Sequence, residues 1–190
     1  LAYQGTHTLQ AIGAFLPSRQ PAQVFGQASG ANGLADTPRK HFAPDSAQAV
    51  IGYGDEIQAT LQSGETAPHV GREGVHTHKR VAVYGTRGFA HWTMWGWELG
   101  IDGHVESGSH EYPDEDIIGQ ARTTEAMFDW MTDETAVHPL CLERALVDFN
   151  TVLGIYISAL DRRPVTLPCE PPDELIDHLR SALAPGGHDT

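Results

Sequence analysis

The chain has 190 residues, 40% of them apolar and 19% charged, which suits one domain with a substantial core rather than a disordered or fibrous chain. A formal net charge of −13, from 25 acidic against 12 basic residues, excludes nucleic acid as a partner, because no basic stripe offsets the acids. No apolar run approaches the roughly 18 residues needed to cross a bilayer, so no membrane partner is expected.

The opening LAYQGTHTLQ has no basic segment followed by a long apolar one, so no signal peptide is visible. It also lacks an initiator methionine and enters an amphipathic pattern at once, which suggests a piece of a longer protein. Cys141 and Cys169 form no CxxC and read as free thiols of a reducing, cytoplasmic compartment.

Residues 6–16 read as a short helix, with Leu9, Ile12, Phe15 and Leu16 at helical spacing and Pro17 just beyond. His7 falls in its first turn. A first strand lies within residues 22–30, with Val24 and Phe25 as candidates for the inner face, followed by a long polar loop over 31–47. Residues 48–54 and 56–63 predict a strand pair turned at Gly54. A second long loop, 64–77, carries His69 and His76.

The pattern then becomes strongly aromatic. Residues 80–84 alternate, with Val81 and Val83 on one side, and Gly85-Thr86-Arg87-Gly88 supplies turn chemistry. Residues 89–97 resume the alternation and predict one strand with Phe89, His91, Thr93, Trp95 and Trp97 on a single face. Such a face demands burial against helices or a second subunit more than it suggests a cofactor box.

A further short strand is expected over 104–110. A helix from Asp114 carries Ile117, Ala121, Thr124, Phe128 and Met131 on one face. The longest helix is expected over 140–160, with Leu142, Leu146, Phe149, Leu153, Tyr156 and Leu160 as its inner stripe, and a stop at Asp161-Arg162-Arg163-Pro164. Mid-helix Asn150 predicts a buried hydrogen bond. An edge strand at 165–167 and a small helix at 172–183 close the chain. Helix, strands, then helices is the order of an α+β domain, a mostly antiparallel open sheet with helices on one face, and residues 1–190 are expected to form that single domain.

Three segments, GTHTLQAIGAFLP (5–17), KRVAVYGTRGFAHW (79–92) and HPLCLERALVDFNTVLGIYISALDRRPVTLP (138–168), resemble the C-terminal half of the Gfo/Idh/MocA family, the relatives of glucose–fructose oxidoreductase and inositol dehydrogenase. The family pattern runs D-x-G-x-H-x-x-D opening a helix, a strand–turn–strand like I-x-G-T-x-G, and a long helix ending in S-x-x-x-x-x-P-V. Gly5-Thr6-His7, residues 84–88 and residues 158–165 stand in those places.

The resemblance implies the substrate-binding and oligomerising domain of an oxidoreductase that uses NAD or NADP. The cofactor would be held mainly by a Rossmann domain absent from these residues, and the substrate would be a sugar or polyol oxidised at a CH–OH group. It implies His7 as the catalytic histidine and a homo-oligomer formed through the open sheet face. The family's two acids fall on Tyr3 and Gln10, so the carboxylates that would attend His7 are replaced. The residues also contain no G-x-G-x-x-G after a strand, since Gly52-Tyr53-Gly54 lacks the third glycine and runs into a strand.

A first-turn imidazole is suited to accept a hydroxyl proton. Tyr3, His76, His78, Arg87 and His91 are the candidate substrate-binding residues. His76 and His78, two apart, share a strand face, and with His69, His104 or His110 they also match part of a metal set. No carboxylate follows in 79–86 to complete a cupin-like motif, and no metal is assigned. Two alternatives to the enzyme thus stand beside it: a non-catalytic accessory or oligomerisation domain of the same fold, and a histidine-cluster metal protein.

Overall fold

The computed structural model describes residues 4–34, 43–54, 56–64, 67 and 79–184. Tyr3, His69, His76 and His78 lie outside them. The chain divides into two units, Leu1–Pro68 with Leu142–Thr190, and His69–Cys141. The α+β class and the antiparallel pairing are as expected, with the strands divided between two four-stranded sheets.

The first unit is built on α3 (Leu142–Asp161), which lies along β1 (Gln23–Ser29). Its sheet runs β3 (Gln58–Gly64), β2 (Ser46–Gly52), β1, β8 (Val165–Thr166), antiparallel throughout. Strand alternation places Val24, Ala47, Ala49, Ile51 and Leu61 on the helix side, where they meet Val152, Ile155 and Tyr156 of α3 and Leu9 of α1 (Gln4–Phe15). Phe25, a candidate for the inner face, points the other way and is exposed, paired in register with exposed Val50. The C-terminal helix α4 (Leu175–Leu183) buries Leu175 and Leu179, and Arg180 Nε donates to the Leu34 carbonyl at 2.6 Å.

Of the expected α3 stripe, Tyr156 is buried and Leu153 and Leu160 pack against the core, but Leu142, Leu146 and Phe149 are exposed, and Asp148, Thr151, Val152, Ile155 and Ser158 are buried instead. Thr151, Gly154 and Ser158 are small enough to let the helix approach the sheet, and the two hydroxyls find partners. Thr151 Oγ donates to the Val147 carbonyl at 2.8 Å, and Ser158 Oγ donates to the Arg163 carbonyl at 2.6 Å while accepting from Gly26 N–H at 2.9 Å. Asn150 makes the predicted hydrogen bonds, donating from Nδ2 to the Cys169 carbonyl at 2.7 Å and accepting from Cys169 N–H at 2.9 Å. Cys141 and Cys169 are free, the first buried and the second half-buried. Burial raises the Cys169 thiol above its ordinary value.

The second unit is a meander of β4 (Arg80–Gly85), β5 (Gly88–Thr93), β6 (Gly96–Ile101) and β7 (His104–Ser109), followed by α2 (Tyr112–Thr132). The predicted strand 89–97 is instead two strands. The chain reverses at Met94-Trp95, where Thr93 Oγ accepts from Trp95 N–H at 3.2 Å and lies 3.3 Å from the Gly96 carbonyl.

This turn reassigns the stripe. Phe89, His91 and Thr93 share a face with Glu98, while Trp97 pairs with Trp92 on the opposite face and Trp95 sits in the turn. Phe89 lies over Gly100 and Trp97 over Gly108, each its direct cross-strand partner. A Cβ on Gly100 would stand 2.5 Å from the Phe89 ring, and one on Gly108 2.7 Å from the Trp97 indole nitrogen.

Pro113 and the acids Asp114 and Glu115 open α2, as the unpaired N–H groups and dipole of a helix start favour. The expected inner stripe of α2 is not buried; Ile117, Phe128 and Met131 are exposed. Among the described residues no helix is long and apolar enough to cross a membrane.

Candidate functional site

α1 presents His7 outward. Gly5, Leu9 and Gly13 recur at four-residue spacing on the buried side, with Ile12 beside them, so position 7 falls off that stripe and is exposed. The helix is seated by the start of α3. The Arg144 guanidinium lies against Gly13, where a Cβ would overlap it, and reaches the Leu9 carbonyl at 3.4 Å. Arg144 also pairs with buried Asp148 at 3.4 Å.

Burial raises the Asp148 carboxyl above its usual range, more strongly than the neighbouring Arg144 lowers it. Its second oxygen has no hydrogen-bond partner among the described residues. The Tyr53 hydroxyl, near both charges, is raised chiefly by burial, with Arg144 opposing and Asp148 adding to it. The family-pattern position Gln10 lies one helical turn from His7 and is half-buried.

Arg87 and His91 belong to the second unit. Arg87 occupies the exposed tip of the β4–β5 hairpin, where its carbonyl accepts from Asp102 N–H at 2.9 Å. His91 is held at both ring nitrogens, with Nε2 3.0 Å from the Tyr84 hydroxyl and Nδ1 3.4 Å from Glu98. Its ring also packs on Phe89, with centroids 4.7 Å apart. Tyr84 and Glu98 are functional candidates that the sequence reading missed. The turn at Met94-Trp95 brings Glu98 opposite His91, whereas Tyr84 reaches the His91 face through the expected hairpin at Gly85–Gly88, which pairs it with Phe89.

Among the described residues no group of three or more histidine, cysteine or acidic side chains is placed to hold a metal. His104 pairs with Glu106 at 3.1 Å, and His110 Nε2 lies 3.0 Å from the Thr93 carbonyl.

The described residues do not fit a dinucleotide. Gly52 ends β2 and leads to β3, and Gly85 and Gly88 flank a β-hairpin turn, so neither glycine pair offers a helix N-terminus to a pyrophosphate.

No family profile matches the chain, and no curated protein matches it in sequence. Its fold, however, is found in oxidoreductases. An NAD-binding oxidoreductase from Klebsiella pneumoniae is 15% identical with a TM-score of 0.63, the match covering 87% of this chain and 50% of that one. An inositol dehydrogenase homologue from Azotobacter vinelandii, solved with NAD+, is 15% identical with a TM-score of 0.61, covering 85% of this chain and 47% of that one. An aldose–aldose oxidoreductase from Caulobacter crescentus, solved with glycerol, is 16% identical with a TM-score of 0.53, covering 86% and 46%. At these identities the likeness is one of fold, and the chain spans about half the length of the oxidoreductases it matches.

Proposed function

We propose that residues 1–190 act together as the substrate-binding and oligomerising domain of a Gfo/Idh/MocA-type oxidoreductase working on a CH–OH group of a sugar or cyclitol-like substrate in the cytoplasm. NAD or NADP is held mainly by a Rossmann domain outside these residues. The observation that carries this reading is the fold: nearly the whole chain superposes on about half of several oxidoreductases, two of them described as NAD-binding or NAD+-bound.

Within this reading His7 takes the carbinol proton, a role supported by its exposure on α1, which Leu9 and the Arg144 contact at Gly13 seat. Tyr3, His76, His78, Arg87 and His91 are proposed to bind the substrate. Assembly uses the sheet face on which Trp97 and Ile101 are exposed. A non-catalytic accessory role is the second reading, favoured by Tyr3 and Gln10 standing where the family pattern has acids.

Two measurements test the proposal. Calorimetry on residues 1–190 alone should detect no micromolar binding of NAD(H) or NADP(H); such binding would overturn the division of labour. In the protein joined to its dinucleotide-binding half, His7→Ala should lower kcat by about two to four orders of magnitude with the fold intact by circular dichroism. Unchanged turnover would favour the accessory role, and a loss confined to Tyr3→Phe would move the proton transfer to Tyr3.

A further inference from the structure

α2 is a helix of 21 residues, none of them buried among the described residues. The row expected to face a core, Ile117, Ala121, Thr124, Phe128 and Met131, stands in solvent instead. Ile117, Phe128 and Met131 are 68%, 62% and 72% exposed. We propose that this row is the docking surface for a basic amphipathic helix of another protein.

A helix draws most of its stability from packing an apolar face, and a free one is marginal in water. Gly119, Thr123 and Thr124 are poor helix formers, so propensity does not replace that packing in α2. The row runs for about four turns, and an apolar row of that length is completed by a helix laid along it. Met127 and Met131 suit such a surface, because unbranched thioether chains adapt to the shape set against them.

Charge selects the partner. α2 carries five acids, Asp114, Glu115, Asp116, Glu125 and Asp129, against Arg122 alone. Asp114, Ile118, Glu125 and Asp129, spaced by four, seven and four residues, form a second row. That row lies about a quarter turn around the helix from the first. Among the described residues no basic side chain forms an ion pair with any of the five acids. A helix with lysine or arginine along one flank of its apolar face neutralises the acidic row while covering the apolar one. A second copy of α2 would bring the same five carboxylates against them, and like charges at close range are unfavourable. The surface uses α2 and not Trp97 or Ile101 of the proposed assembly face, and it does not depend on the oxidoreductase reading.

Fluorescence anisotropy on residues 1–190 tests the proposal with two labelled peptides matching α2 in length. One is built of leucine–lysine heptads, and the other has glutamate in place of every lysine. The lysine peptide should bind with a Kd of about 10 μM at low salt. Binding should weaken by about tenfold or more in about 0.5 M NaCl. Phe128→Ser combined with Met131→Ser keeps the net charge and alters only exposed residues. It should match wild type by circular dichroism and weaken binding by about tenfold or more. Glu125→Gln combined with Asp129→Asn should weaken binding several-fold and flatten its salt dependence. The proposal fails if the lysine peptide does not bind below about 100 μM, or if the glutamate peptide binds as tightly. It fails too if the Phe128 and Met131 variant binds the lysine peptide like wild type. Loss of self-association in that variant, by sedimentation velocity, would make a second copy the occupant and overturn it as well.

Discussion

Gly26→Ala is expected to loosen the first unit. Gly26 lies in β1 directly beneath α3, and a Cβ there would stand 2.8 Å from Ile155 Cγ2, 2.9 Å from the Ile155 carbonyl oxygen and 3.2 Å from its Cα. Two of those three atoms are backbone, so no rotamer change removes the overlap and the helix must retreat. Overpacking of this kind costs about 1–3 kcal/mol. Retreat also stretches the hydrogen bond from Gly26 N–H to Ser158 Oγ, now 2.9 Å, for about 1 kcal/mol more. The reduced freedom of alanine in the unfolded chain returns about 0.4–1 kcal/mol. The net loss is about 1–3.5 kcal/mol.

Gly119→Ala is the matched control, an exposed mid-helix glycine with open space around it. It should gain about 0.8–1 kcal/mol from helix propensity. Urea unfolding followed by circular dichroism at constant pH measures both. A Gly26→Ala midpoint equal to wild type, or both variants shifting the same way, would refute the close seating of α3 on β1.

Two further outcomes follow from the structure. Because burial raises the Asp148 carboxyl above its ordinary value, the native state holds that proton more tightly than the unfolded chain. The stability so gained is complete below the unfolded pKa of about 3.9 and is lost as pH rises through the higher native value. Asp148→Asn, neutral throughout, should therefore be more stable than wild type at pH 7, with the difference shrinking toward pH 4 in urea titrations. An asparagine variant that is less stable at pH 7 would mean that the Arg144 pair outweighs desolvation. Trp97→Lys should weaken self-association in sedimentation velocity without unfolding the chain, since Trp97 is 40% exposed. A wild-type chain that remains a clean monomer at tens of micromolar, roughly the range where obligate interfaces persist, would remove the assembly face.

Much of the fold was legible because local chemistry and global position agreed. Leu9 and Ile12 before Pro17 marked α1, Gly85 to Gly88 marked the first hairpin, and Asn150 in an apolar run announced its half-buried clasp on Cys169. The turn at Met94-Trp95 was hidden because neither residue is a turn former and Met94 is itself buried. Missing it displaced Trp97 to the wrong face and concealed Glu98 as the partner of His91. Half of the α3 stripe, Leu142, Leu146 and Phe149, was misread because Thr151 and Ser158 look outward-facing by polarity; their hydroxyls are satisfied by nearby backbone carbonyls, which makes them compatible with the core.

The pairing of Phe89 with Gly100 and of Trp97 with Gly108 bears on how this protein tolerates change. Open sheet positions ordinarily accept many residues, so a mutational scan of β6 and β7 would be expected to be permissive. Here any side chain at either glycine displaces an aromatic ring from the neighbouring strand. Gly100 and Gly108 should therefore be harder to replace than open sheet positions, and a substitution accepted there should be accompanied by a smaller or displaced side chain at position 89 or 97. Variant libraries of this sheet would show that dependence as paired changes across adjacent strands, with the glycine and its ring altering together.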